Sequence, residues 1–128
     1  MLNLKDIRIL QLIREHCSSI QEVISNLDEE EFLKDKVKSN SVCFDILQIG
    51  DLTKSFTDTF ISKYDGMPWK DIKGMRDWVA HGYHNIEISR IWQTAKKDIP
   101  SLNKYCEYVL EENKITDFEK KFKTYQER

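Results

Sequence analysis

Glycine, proline and cysteine are scarce in this chain, and each scarcity excludes something. Four glycines and two prolines among 128 residues leave too little turn chemistry for a many-stranded β fold. Three cysteines, Cys17, Cys43 and Cys106, are an odd number, lie far apart and form no CxxC pair. A disulfide or zinc framework is therefore not expected, and a reducing cytoplasm suits the chain best. Charged residues interrupt every apolar run well short of a membrane span, and the first residues show no signal-peptide pattern. No excess of basic residues is present either: the formal net charge is −2. A general nucleic-acid coat is thus excluded, and a phosphate-binding surface has to be local, made by a few residues against an acidic background. What the chain does have is 33% charged and 40% hydrophobic residues, the balance of an amphipathic helical protein large enough for a single core.

The apolar pattern is helical. Leu10, Ile13, Cys17, Ile20, Ile24 and Leu27 recur at alternating spacings of three and four, which predicts a helix with one buried seam. Asp28 and Glu31 suit a capping box on a short acidic turn. Val42, Ile46, Ile49, Thr53, Phe56 and Phe60 predict a second long helix forming a hairpin with the first. Gly50 interrupts that pattern at a cost of about 1 kcal/mol relative to alanine, and close approach of a neighbouring helix would compensate. Asp65-Gly66-Met67-Pro68 reads as a turn, with Pro68 opening a helix that bends or breaks near Gly74 and ends at Gly82. A further helix is expected from about Ile86 to Asp98, with Ile88, Ile91, Trp92 and Ala95 on one side. Pro100 is expected to stop it and to open the next, whose stripe is Leu102, Cys106 and Val109. The tail has its own stripe, Ile115, Phe118, Phe122 and Tyr125, behind a Thr116/Glu119 capping box and among four lysines; it suits docking on the domain or on a partner. The expected architecture is all-α, an up-and-down bundle of four or five helices over residues 1–112, followed by a C-terminal amphipathic basic helix or tail at 113–128.

Arg76-Asp77-Trp78-Val79-Ala80-His81-Gly82-Tyr83 is the stretch richest in chemistry. It gathers an arginine, a histidine and a phenol around a glycine stop, the groups one would bring to a phosphate. On an ideal helix Arg76 and His81 diverge by roughly 140°. They converge only if the helix ends or bends near His81, or if a second copy completes the site. Asp77 and His81, four apart, face each other. The set is coherent for cutting RNA without a metal. The 2′-hydroxyl is an internal nucleophile, histidine moves protons near neutral pH, arginine offers a planar fork to phosphoryl oxygens, and Asp77 can hold the imidazole in one orientation. Other readings stand beside this one. An arginine and a histidine five apart occur by chance in many proteins, and Trp78 and Val79 suit core anchors. Asp77, His81 and His84 have helix-like spacings for a metal, though no fourth ligand stands out. His16 sits in a charged stretch and reads as solvated, while Tyr105 and Tyr108 suit packing.

Arg76-x4-His81-x-Tyr83 resembles the RX4HXY signature of the HEPN superfamily in its HepT-like branch. Pro68-Trp69-x-x-Ile72, Gly74-Met75-Arg76, Ile91-Trp92 and Asp98-Ile99-Pro100 extend the resemblance, which spans about residues 4–110 and is specific over 68–100. It implies a HEPN-like helical bundle and a ribonuclease toxin with Arg76 and His81 catalytic, in a site shared by two copies of a homodimer. No cofactor or metal is expected. The resemblance also implies a cognate MntA-like nucleotidyltransferase antitoxin that adds AMP to Tyr83, placing charge and bulk where an RNA phosphate must bind; antitoxin and toxin could then assemble into a larger hetero-oligomer. Some relatives serve as binding partners of nucleotidyltransferases without shown cleavage, and the alternative expectation for this chain is a non-catalytic binding module that partners a nucleotidyltransferase.

Overall fold

The computed structural model describes residues 2–82 and 87–126, with the backbone alone described at 114–126. Among these residues the chain is all-α, with four long helices and three short ones. Helix α1 (Leu4–Ile24) starts six residues before its apolar stripe, because Asn3 accepts the Asp6 backbone N–H at 2.9 Å and caps it. Helix α2 (Glu29–Lys34) carries the expected capping box. Asp28 accepts the Glu31 N–H at 2.8 Å and Glu31 accepts the Asp28 N–H at 3.1 Å. Helix α3 (Lys36–Thr53) is capped by Asp35. Helices α4 (Asp58–Lys63), α5 (Trp69–Gly82), α6 (Ile88–Gln93) and α7 (Ile99–Gln126) follow. Helix α1 packs on α3 and α7, and α3 packs on α5.

The buried seam is the one the spacing predicts. Leu10, Ile13, Cys17 and Ile20 of α1, Val42, Ile46 and Ile49 of α3, Val79 of α5, and Leu102, Cys106 and Val109 of α7 form one core. Burial pushes all three thiols up. Cys106 rises to about 12, Cys17 lies higher still, and Cys43 rises too. None of them offers a thiolate near neutral pH. No helix among the described residues is long and apolar enough to cross a membrane.

Several expectations need correction. Residues 42–60 are not one helix: α3 ends at Thr53 and α4 begins at Asp58. The break is held from α1, where the buried carboxylate of Asp6 accepts the Thr57 N–H at 3.0 Å and its hydroxyl at 2.6 Å. Thr57 in turn caps α4 by accepting the Phe60 N–H at 3.1 Å. Gly74 does not interrupt α5, which runs unbroken to Gly82. Pro100 does not separate two helices. A π-helical turn, Thr94–Asp98, joins α6 to α7, and Ile99 donates its N–H to the Thr94 carbonyl five residues back. Proline has no N–H and its ring crowds the carbonyl four residues earlier, so a widened turn lets the helix pass through it. Helix α7 then continues across residues 112–113 without a fresh start, and Thr116 opens no new helix. The stripe and lysines of the tail lie outside the described side chains. Tyr105 packs as expected, but Tyr108 is exposed. His16 is not simply solvated: its Nδ1 lies 2.8 Å from Oδ1 of the buried Asp45 on α3.

Two anchors position α5. At its start, Trp69 is buried among Phe56, Phe60 and Tyr105 and donates its indole N–H to the Tyr64 carbonyl at 2.6 Å. Pro68 immediately precedes the helix, and its carbonyl accepts the Ile72 N–H at 3.0 Å. Further along, Ile72, Met75 and Val79 turn toward the core, which fixes the rotation of the helix and hence the directions in which Arg76 and His81 leave it.

Candidate active site

The crossing of α3 and α5 is unusually close. A Cβ on Gly50 would sit 2.5 Å from the Arg76 Cβ and 2.8 Å from the Arg76 backbone nitrogen. No other residue fits without parting the helices, so the mid-helix glycine has the compensation its cost requires. The contact falls on Arg76 itself. The residue after Gly50, Asp51, accepts the Arg76 Nε–H at 3.1 Å. Lys54, one turn on, lies 4.0 Å from Asp51 and 3.8 Å from Asp77, and Arg76 Nη1 lies 3.6 Å from Asp77. Two cations and two carboxylates thus alternate around the helix crossing. These pairs face solvent, the Asp77 side chain being 59% exposed, so each is worth about 0–1 kcal/mol at most. Their value is positional: a half-buried arginine is held at its Nε edge.

His81 leaves the same helix one residue before its end and is exposed. Because α5 is continuous through Gly82, the ideal divergence of roughly 140° between Arg76 and His81 applies within one chain. The expected contact of Asp77 with the imidazole is not what the structure holds. Among the described residues no hydrogen bond joins them, and the carboxylate is directed at Lys54 and Arg76. Val79 is fully buried, as a core anchor should be, whereas Trp78 is only partly buried. Tyr83, the expected AMP acceptor, and His84 lie outside the described residues, so the metal set that includes His84 does too; among the described residues no three metal-ligating side chains cluster. Asp51 and Lys54 were missed from sequence. The one signal that could have found them is Gly50, which marks the level at which another helix crosses.

Fold and site together define an all-α bundle in which one helix carries a braced arginine and, five positions on, an exposed histidine. The chain belongs to the HepT-like ribonuclease family, whose model, described as "Ribonuclease HepT-like", matches residues 13–109. Among its relatives, a "Putative RNase" of Caldanaerobacter subterraneus subsp. tengcongensis is 32% identical over 105 residues, covering 82% of this chain and 94% of the relative. A "Probable ribonuclease HepT" of Thermococcus cleftensis is 32% identical over 93 residues, covering 73% of this chain and 84% of the relative. A "Putative RNase" of Methanocaldococcus jannaschii is 31% identical over 109 residues, covering 84% and 90%. No solved structure matches the chain.

Proposed function

We propose that this protein is a metal-independent endoribonuclease acting in the cytoplasm as the toxin of a toxin–antitoxin pair, with Arg76 and His81 as its catalytic residues. The observation that carries the reading is the pairing, on one helix of a HepT-like ribonuclease bundle, of a guanidinium braced by Asp51 with a solvent-exposed imidazole. RNA brings its own nucleophile. Attack of the 2′-oxygen on the adjacent phosphorus forms the 2′-O–P bond and breaks the P–O5′ bond, leaving a 2′,3′-cyclic phosphate and a 5′-hydroxyl. The enzyme moves two protons, off the 2′-oxygen and onto the 5′-oxygen, and stabilises charge on the phosphoryl oxygens. Imidazole suits the first task and guanidinium the second. The wide divergence of the two groups on a continuous α5 supports a site completed by a second copy, so that the His81 of one chain works with the Arg76 of the other. Asp77 then acts as a positioning residue, bracing Arg76 alongside Asp51.

The same reading assigns a nucleotidyltransferase antitoxin as partner and Tyr83 as the residue it adenylylates. The position of Tyr83, two residues beyond His81, supports it: an added phosphodiester there competes with the RNA phosphate. Incubation with such an enzyme and ATP is expected to add mass in AMP steps, lost in Tyr83→Phe; a wild-type mass that stays unchanged contradicts the assignment.

The catalytic reading is tested with purified protein in excess EDTA. Arg76→Ala and His81→Ala are each expected to lower RNA cleavage by about 100-fold or more, with helical content and melting temperature preserved. Cleavage by either variant at the wild-type rate contradicts the assignment. A wild-type protein that cuts no RNA yet forms a stable complex with the nucleotidyltransferase would make it a binding module.

A further inference from the structure

On the flank of α5 turned away from Gly50, a groove of about 640 Å³ runs between α5 and the α6–α7 helix. Its volume is that of a small-molecule or nucleotide site. Ile72 and Met75 form its floor, and Trp78 and Arg90 stand at one end. The Arg90 guanidinium lies over the Trp78 ring, 3.9 Å from its centroid, in cation–π contact. Arg90 is exposed, and among the described residues no carboxylate pairs with it. The acidic members of the groove, Asp71 and Asp98, belong to its other end: Asp71 precedes Trp78 by seven residues, about 10 Å along the helix. The groove is therefore polarised, cationic at Trp78 and anionic at Asp71.

The placement of the cationic end relative to His81 gives it meaning. Trp78 and His81 are three apart on a continuous helix, so they are surface neighbours separated by about 60° and 4.5 Å of rise. Arg76 leaves the opposite side. Within one chain, then, it is Trp78, with Arg90 stacked on it, that flanks the imidazole. We infer that Trp78 and Arg90 form an RNA subsite beside His81, which takes an unpaired nucleotide next to the scissile bond, its phosphate against Arg90 and its base in the groove. Arginine planes and aromatic rings are the usual platforms for unstacked bases. At the other end the exposed carboxylates of Asp71 and Asp98 repel a second phosphate and can accept amino donors from a base edge, which limits the groove to a single nucleotide. This rests on the ribonuclease reading and adds a specificity element to it.

The test uses the full chain, a cleavable single-stranded RNA decamer and its fully 2′-O-methyl counterpart, which cannot be cut through the 2′-oxygen. Arg90→Ala is expected to raise KM for the cleavable strand, and Kd for the 2′-O-methyl strand, about tenfold, with kcat within twofold and the melting temperature kept. Arg90→Lys restores the charge without the planar fork and is expected to recover only part of the loss. The slope of log affinity against log salt should fall by about one phosphate contact in Arg90→Ala. Unchanged KM and Kd in a folded Arg90→Ala, with wild-type cleavage intact, overturn the subsite and leave the ribonuclease reading standing. Loss of kcat alone, with KM unchanged, also overturns it. A wild-type protein that cuts no RNA but binds the 2′-O-methyl strand through Arg90 supports the subsite and overturns the ribonuclease reading instead.

Discussion

Gly50 and Arg76 meet so closely that a single methyl group decides whether α5 can lie on α3. An alanine at 50 would have its Cβ 2.5 Å from that of Arg76 and 2.8 Å from its backbone nitrogen, atoms that cannot swing aside as a side-chain tip could. Gly50→Ala is expected to lower stability by about 1–3 kcal/mol, the usual range for overpacking, despite alanine's better helix propensity. It should also reduce RNA cleavage, by moving the arginine; urea unfolding and the cleavage assay check both, and a stability gain contradicts the close packing. The glycine was legible in the sequence as a helix-interior anomaly with a suggested cause. Its partners were not. Asp51 reaches Arg76 across 25 positions and Asp45 reaches His16 across 29, and a single sequence carries no periodic signal for pairs between elements. That is why His16 read as solvated, when it lies against Asp45, and Asp77 as the partner of His81, when its carboxylate is directed at Lys54 and Arg76.

Elements were legible where periodicity and capping agreed, and misread where one apolar stripe passes through a break. Val42 through Phe60 keep helical spacing across the α3–α4 junction, so pattern alone joins them. The stop is imposed from outside, by the buried Asp6 carboxylate that takes both the N–H and the hydroxyl of Thr57. Thr57→Ala removes the cap of α4 and one of the two hydrogen bonds to Asp6. A loss of about 1–3 kcal/mol in unfolding free energy is expected, with RNA cleavage per folded molecule unchanged because the proposed site lies on α3 and α5. No loss of stability would mean that Asp6 does not pin this junction. Pro100 misled in the opposite direction: it reads as a stop, but the π-helical turn before it withdraws the hydrogen bonding that proline cannot supply.

At the scale of the molecule, the scarcity of glycine and proline together with the amphipathic stripes was enough to specify an all-α bundle, because helix is the only element left that such a pattern can build. The packing order was less accessible. That α5 rests on α3, exposing one flank to the ionic cluster and the other to a groove, follows from contacts between distant segments. It matters for the proposed function because Arg76 and His81 leave a continuous helix on divergent sides, so the proposed site requires a second copy to complete it.

On the proposed function, RNA is cut through its own 2′-oxygen, with Arg76 and His81 as the working groups. The most direct measurement is end-group analysis by mass spectrometry of an oligonucleotide digested in EDTA, alongside the same strand carrying a single 2′-deoxynucleotide on the 5′ side of the mapped cleavage position. The expected result is a 2′,3′-cyclic phosphate and a 5′-hydroxyl from the first strand, no cut at that position in the second, and neither product from Arg76→Ala or His81→Ala. A cut beside the deoxynucleotide, or products ending in a 3′-hydroxyl and a 5′-phosphate, would contradict it.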